Sequence, residues 1–186
     1  LERLWGEHIH LGFYPKGKKN VDFRKAKVQF VHELVKWSGL DKMPKGSRIL
    51  DVGCGIGGSS RILAKYYGFN VTGITISPGQ VKRARELTPS GLSCNFQVMD
   101  AMDLKFEDGS FDAVWSVEAG AHMNDKNKFA DEMLRTLRPG GYLALADWNS
   151  RDLRTYPPSF IEKLVLKQLL EQWVHPNFIS IEEFGG

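Results

Sequence analysis

The sequence predicts an α/β domain built on a doubly wound, mostly parallel sheet with helices on both faces, and three observations carry this. Short apolar segments at residues 49–52, 70–77, 92–98, 113–117 and 142–146 alternate with segments of helical period. The first apolar segment ends in Asp51 and breaks into the glycine-rich turn Gly53-Cys54-Gly55-Ile56-Gly57-Gly58, after which Ser59-Ser60 open a helix. The second runs into Ser77-Pro78-Gly79-Gln80, where serine can cap, proline suits the first helical position and Gln80 completes a capping box.

The elements follow in chain order. Residues 1–20 carry Trp5, His8, His10, Phe13 and Tyr14 without a clear period and read as an irregular aromatic arm. Asp22 caps a helix through Trp37, with Phe23, Phe30, Val31, Leu34 and Val35 near a 3.6-residue spacing and Gly39 as its stop. Strand, glycine turn and a helix through Tyr67, closed by Gly68, come next, and the alternation continues with a helix over residues 126–137. A last helix begins after Pro157-Pro158, with Ser159 and Glu162 as a second capping box, and runs through Trp173 to a stop at His175-Pro176. Its apolar stripe, Ile161, Leu164, Val165 and Leu169, is expected to pack on the sheet, the other reading being a site for an apolar ligand tail.

Bulk properties narrow the function classes. A chain of 186 residues with 42% hydrophobic content is long enough for one domain with a substantial core. The net charge of +3 is mild and the basic residues are scattered, so no nucleic-acid surface is expected, and Lys16-Gly17-Lys18-Lys19 reads as a solvated loop. Two cysteines, Cys54 and Cys94, define no disulfide framework and favour a reducing compartment. No run approaches the about 20 apolar residues of a membrane span, no signal peptide opens the chain, and no metal site is read.

The glycine turn suits a nucleotide, because glycine permits positive φ and close backbone approach while the following helix offers its first amides. A nicotinamide or flavin site wants an acid about 20 residues on, at the tip of the second strand. Thr75 stands there instead. The form Asp51-Val52-Gly53-Cys54-Gly55 resembles motif I of the class I S-adenosylmethionine-dependent methyltransferases. Asp100, Phe111-Asp112-Ala113-Val114-Trp115-Ser116-Val117-Glu118 and Leu137-Arg138-Pro139-Gly140-Gly141-Tyr142-Leu143 resemble that family's later motifs, in order.

A narrower resemblance rests on Trp5-Gly6-Glu7-His8-Ile9-His10-Leu11-Gly12, on Trp115 through Met123, and on Ala146-Asp147-Trp148-Asn149-Ser150-Arg151-Asp152. These are similar to the cyanobacterial and plastid methyltransferases of tocopherol and plastoquinone synthesis, over nearly the whole chain. Ala-Asp-Trp-Asn, and Gln168 to Trp173 followed by His175-Pro176, resemble the 2-methyl-6-phytylbenzoquinol branch more than the γ-tocopherol branch. The γ-tocopherol type, like the related cyclopropane synthases, carries an acid where this chain has Ala121.

The resemblance implies a Rossmann-like methyltransferase fold, a domain over residues 21–186 with residues 1–20 as arm or lid, and a C-terminal antiparallel hairpin for which the sequence leaves no room. It implies S-adenosyl-L-methionine as methyl donor, S-adenosylhomocysteine as product and a small apolar quinol as acceptor. Peripheral contact with a photosynthetic membrane, from the cytoplasmic or stromal side, goes with that acceptor. The donor is expected to meet Asp51, Gly53, Cys54, Gly55 and Gly57 at its methionine end, Thr75, Ile76 and Gln80 at the ribose, and Asp100, Ala101 and Met102 at the adenine. Val117 and Tyr14 complete the set, Tyr14 having two readings of equal standing, a ring laid over the sulfonium and simple packing in the lid. Gln80 has two readings of equal standing, helix cap and ribose contact.

Methylating an aromatic carbon calls for loss of a phenolic proton, so a base is expected nearby. His122, just past the fourth strand, is the first candidate; the competing reading is a histidine that only bonds backbone or donor. His8 and His10 are the second, against a lid that merely excludes water. Glu118, Asp147 and Trp148 are expected to border the acceptor. Other readings stay open: a γ-tocopherol or other small-molecule methyltransferase, and a donor-binding fragment without activity.

Overall fold

A computed structural model describes residue 2 and residues 6–17, 20–172 and 180. Among these, α1 spans Phe23–Ser38, β1 Arg48–Val52, α2 Gly58–Tyr67, β2 Asn70–Thr75, α3 Pro78–Leu87, β3 Cys94–Val98, β4 Phe111–Val117, α4 Lys126–Thr136, β5 Leu137–Ala146 and α5 Phe160–Gln172. The five strands form one parallel sheet of order β3-β2-β1-β4-β5. Strand order reverses between β1 and β4, which opens a crevice beyond their carboxyl ends.

Helix ends follow the capping chemistry. Asp22 Oδ1 accepts the amides of Arg24 and Lys25 at 2.9 and 3.0 Å, and Gly39, at φ 78°, turns the chain out of α1. Ser159 Oγ and Glu162 Oε2 bond each other's backbone N–H, giving α5 its reciprocal cap. At α3 only half of the box forms: Ser77 Oγ accepts the Gln80 amide at 3.3 Å, but the Gln80 side chain turns to Thr75, whose hydroxyl donates to Oε1 at 2.6 Å.

The pleat sends alternate residues of β1 to opposite faces. Ile49 packs with Val31, Leu34 and Val35 of α1 and Ile62 and Leu63 of α2. Leu50 and Val52 pack on the other side with Phe129 and Met133 of α4. Each such side chain, fully buried, contributes about 1.5–3 kcal/mol. Phe96 of β3 fills the space behind the glycine turn so closely that a Cβ at Gly73 would lie 2.8 Å from its ring.

Three expectations are corrected. Phe23 is exposed, because the buried face of α1 starts at Ala26 and Lys27. The fifth strand begins at Leu137, and the extra residues around Gly140, at φ 73°, are absorbed as an irregularity opposite Phe111 and Ala113. The stripe on α5 does not pack on the sheet: Ile161 is 72% and Val165 58% exposed, and Leu164 is exposed as well. Trp5, Lys18, Lys19, Trp173, His175 and Pro176 lie outside the described residues.

Candidate active site

A cavity of about 860 Å³ lies at the carboxyl ends of the strands, of a size suited to a nucleotide-sized ligand. Its floor is the turn after β1. The amides of Gly53 and Cys54 both bond Ile74 O, at 3.0 and 2.9 Å, which ties the turn to β2. Gly53, at φ 78°, can carry no side chain, because a Cβ there would collide with that of Ala119. On the β4 side, Ser116 Oγ donates to Val52 O at 2.9 Å and fixes the two central strand ends together.

Asp51 is 2% exposed and faces the cavity, with the Ser60 hydroxyl donating to its Oδ2 at 2.5 Å. Burial pushes its carboxyl up to about 7, the single hydroxyl donor only partly opposing this. Farther along the wall, Thr75 holds Gln80 in place. Asp100 Oδ1 accepts the Met102 amide at 2.9 Å, and Ala101 and Met102 line the cavity with it.

The arm closes the opposite side. His10 Nδ1 donates to Leu11 O at 2.7 Å, so its Nε2 is the acceptor for His8 Nδ1 at 3.1 Å and for the Ser59 hydroxyl at 3.4 Å. Burial depresses His8 to about 3 and His10 to about 4, and both stay neutral near pH 7. Lys27 Nζ donates to His8 O at 2.8 Å and Arg61 Nη2 to Glu7 Oε2 at 2.8 Å, anchoring the arm to α1 and α2. Glu118 Oε1 accepts the Leu11 amide at 3.0 Å, and the Trp148 side chain also bonds Glu118. Desolvation raises the carboxyls of Glu118 and Asp147.

Most of the expected residues converge on this cavity: Asp51, Gly53, Cys54, Gly55, Thr75, Ile76, Gln80, Asp100, Ala101, Met102, Val117, Glu118, Trp148, His8, His10 and His122 all line it. His122 stands at the end of the short 3-10 turn Gly120–His122, exposed at the mouth. Three residues do not line it. Tyr14 is 53% exposed, carried away by the arm's course. Gly57 faces the other way, where a Cβ would meet Phe96 at 2.6 Å. Asp147 turns to the backbone, accepting the amides of Ala121 and Trp148 at 3.1 and 2.8 Å, so it braces the turn that carries His122.

Sequence reasoning missed Trp115, Ser59 and Ile9 as lining residues. Trp115 looked like strand core, and the parity it shares with Asp51 in the aligned strands was the available signal. Cys54 and Cys94 are free thiols, both with their pKa pushed up by burial. Among the described residues no three His, Cys, Asp or Glu are grouped to hold a metal, and no helix is long and apolar enough to cross a membrane.

Sheet order, glycine turn and cavity together define the Rossmann-like class I methyltransferase fold. A family described as "Methyltransferase domain" matches residues 50–145, and the chain belongs to it. Over 185 residues the chain is 62% identical to the 2-methyl-6-phytyl-1,4-hydroquinone methyltransferase of Synechocystis, covering all of this chain and 58% of that protein. It is 36% identical over 195 residues to the chloroplastic tocopherol O-methyltransferase of Arabidopsis thaliana, covering 98% of this chain and 56% of the relative. The chain thus spans little more than half of these curated relatives. Among solved structures, a protein assigned as a sarcosine dimethylglycine methyltransferase from Galdieria sulphuraria superposes with a TM-score of 0.84 at 26% identity, over 98% of this chain and 68% of that one. A phosphoethanolamine N-methyltransferase of Haemonchus contortus, solved with S-adenosyl-L-methionine, reaches 0.70 at 26% identity over 83% of this chain and 34% of that one.

Proposed function

We propose that this chain is the donor-binding and catalytic domain of an S-adenosylmethionine-dependent methyltransferase acting on a ring carbon of a prenylated benzoquinol. The observation that carries the reading is the 62% identity, along the whole chain, to a protein named for that chemistry. The cavity residues fit the donor. Gly53 and Gly55 of the turn line the cavity without a side chain of their own, Asp51 offers a carboxylate to an amino group, and Asp100 keeps its second oxygen for a purine amine.

The donor's sulfonium supplies an electrophilic methyl, so the protein's task is to hold the ring carbon in line with it. Such positioning is worth about 7–11 kcal/mol of the barrier. The arm residues His8, Ile9, His10 and Leu11 exclude water from the transfer path. His8 and His10, depressed by burial, bind a proton too weakly to take one from a phenol, and their role is to fix the arm. His122 at the cavity mouth is the base, because imidazole can accept a phenolic proton near neutral pH. Glu118 and Trp148 form the acceptor side. An acceptor this apolar goes with peripheral membrane contact on the cytoplasmic or stromal side.

Incubating the intact protein with methyl-labelled donor and prenylated quinols tests this. A carbon-methylated ring, with turnover at saturating acceptor falling at least about 100-fold in His122→Ala, is expected; methylation of tocopherol instead, or an unchanged rate in the variant, overturns the acceptor or the base respectively.

A further inference from the structure

Lys126 opens α4, yet its ammonium reaches back to the turn before that helix. Nζ donates to Gly120 O at 2.9 Å, to Met123 O at 3.0 Å and to Ala121 O at 3.4 Å. A lysine ammonium has three N–H donors, so these three carbonyls match its whole capacity. A cation in the first turn of a helix is unfavourable, since the unpaired amides already leave that end positive. The helix is capped without it, Asp125 Oδ1 accepting the Lys128 amide at 2.9 Å. α4 gives no reason for a lysine at this position, and the carbonyls of the turn do.

The turn is gripped from two sides. Asp147 accepts the Ala121 amide at 3.1 Å and bonds the Gly120 amide as well, while Lys126 takes the carbonyls, and the two opposite charges attract each other. Packing leaves the turn little slack, because a Cβ at Gly120 would lie 2.5 Å from Asp147 Oδ2 and 3.1 Å from the Phe129 ring. One wall of the cavity hangs from this clamp: His122, Met123 and Asn124 all line it. The residues on either side of His122, Ala121 and Met123, both give their carbonyls to Lys126, so the clamp sets where the imidazole stands.

We propose that Lys126 is a positioning residue for methyl transfer: its ammonium gathers the carbonyls of Gly120, Ala121 and Met123 and so holds the His122 imidazole in place for the acceptor's hydroxyl. This rests on the reading of His122 as the base. Lys126 does not line the cavity and acts only through the turn.

Turnover of the intact protein with S-adenosylmethionine and a prenylated quinol, measured for Lys126→Met, His122→Ala and the double variant, provides the test. Lys126→Met keeps an unbranched stem and loses the three donors. It should lower kcat by roughly 10-fold or more, as expected when a reacting group is misplaced by up to about 1 Å, with donor affinity by calorimetry and KM for the quinol near those of the wild type. In the His122→Ala background it should cost nothing further, because both changes disable the same group. Additive losses, an unchanged kcat or a parallel loss of donor affinity overturn the assignment. Should Lys126→Met fold poorly, Lys126→Arg replaces it in the cycle: it keeps the cation but cannot converge on three carbonyls from one atom. A loss shared with His122→Ala is then expected, and no loss, or an additive one, overturns the proposal. If His122→Ala itself keeps full turnover, the base reading falls and Lys126 falls with it; if only the cycle is additive, Lys126 falls and the base stands.

Discussion

Glu118 Oε1 accepts the backbone N–H of Leu11 at 3.0 Å, a bond between residues 107 positions apart that joins the end of β4 to the arm. Glu118 makes it from a left-handed backbone, at φ 51°, a conformation a glutamate adopts only at a cost of about 1–3 kcal/mol. That cost is tolerated where the carboxylate also meets Trp148 and the field of Lys27. The arm is thereby held over the cavity by a residue of the cavity wall.

Removing that latch should loosen the arm without unfolding the sheet. In Glu118→Ala, amide exchange at Leu11 should accelerate and donor affinity should fall by about 10-fold, the loss of one charge-assisted hydrogen bond of about 1.5 kcal/mol. Unchanged exchange at Leu11 would show that the arm is held by its other anchors alone.

Asp51 should make stability depend on pH in one direction. Its folded pKa, about 7, lies above the ordinary carboxylate value of 3.8, so the folded state holds the proton more tightly. The group's contribution is fully present below about pH 4 and is lost as pH rises through 7. Asp51→Asn, neutral throughout, should therefore melt higher than the wild type at pH 8 and converge with it near pH 4, while binding the donor more weakly. Parallel melting curves across that range would contradict the assignment.

The histidine pair should act with the opposite sign. Folded values of about 3 and 4 lie below the ordinary 6.5, so their contribution is present above pH 6.5 and lost as pH falls toward 4. His8→Gln should flatten the acid limb of the melting-temperature profile between pH 6.5 and 4. An acid limb as steep as that of the wild type would show that His8 titrates normally in the fold.

Much of this was legible in the chain because it is local. Asp22, Gly39, Gly68 and Ser77 announce helix ends through backbone chemistry that needs no tertiary partner, and the residues at the strand tips follow from strand parity and order. The exposed α5 stripe misled, since periodicity reports an apolar face and not what covers it. Asp147 and Gly57 misled for another reason: both sit beside the site, and only the fold decides that one braces the Gly120–His122 turn and the other makes room for Phe96. Burial of His10 depends on contacts with Ser59 and Phe30, which no local pattern reveals.

The most direct measurement is a crystal structure of the protein soaked with S-adenosylhomocysteine. The account predicts the amino-acid end against the Gly53–Gly55 turn, beside Asp51, and the purine amine within hydrogen-bond reach of Asp100. A ligand bound elsewhere, or a purine lodged away from Asp100 in the same cavity, would contradict it.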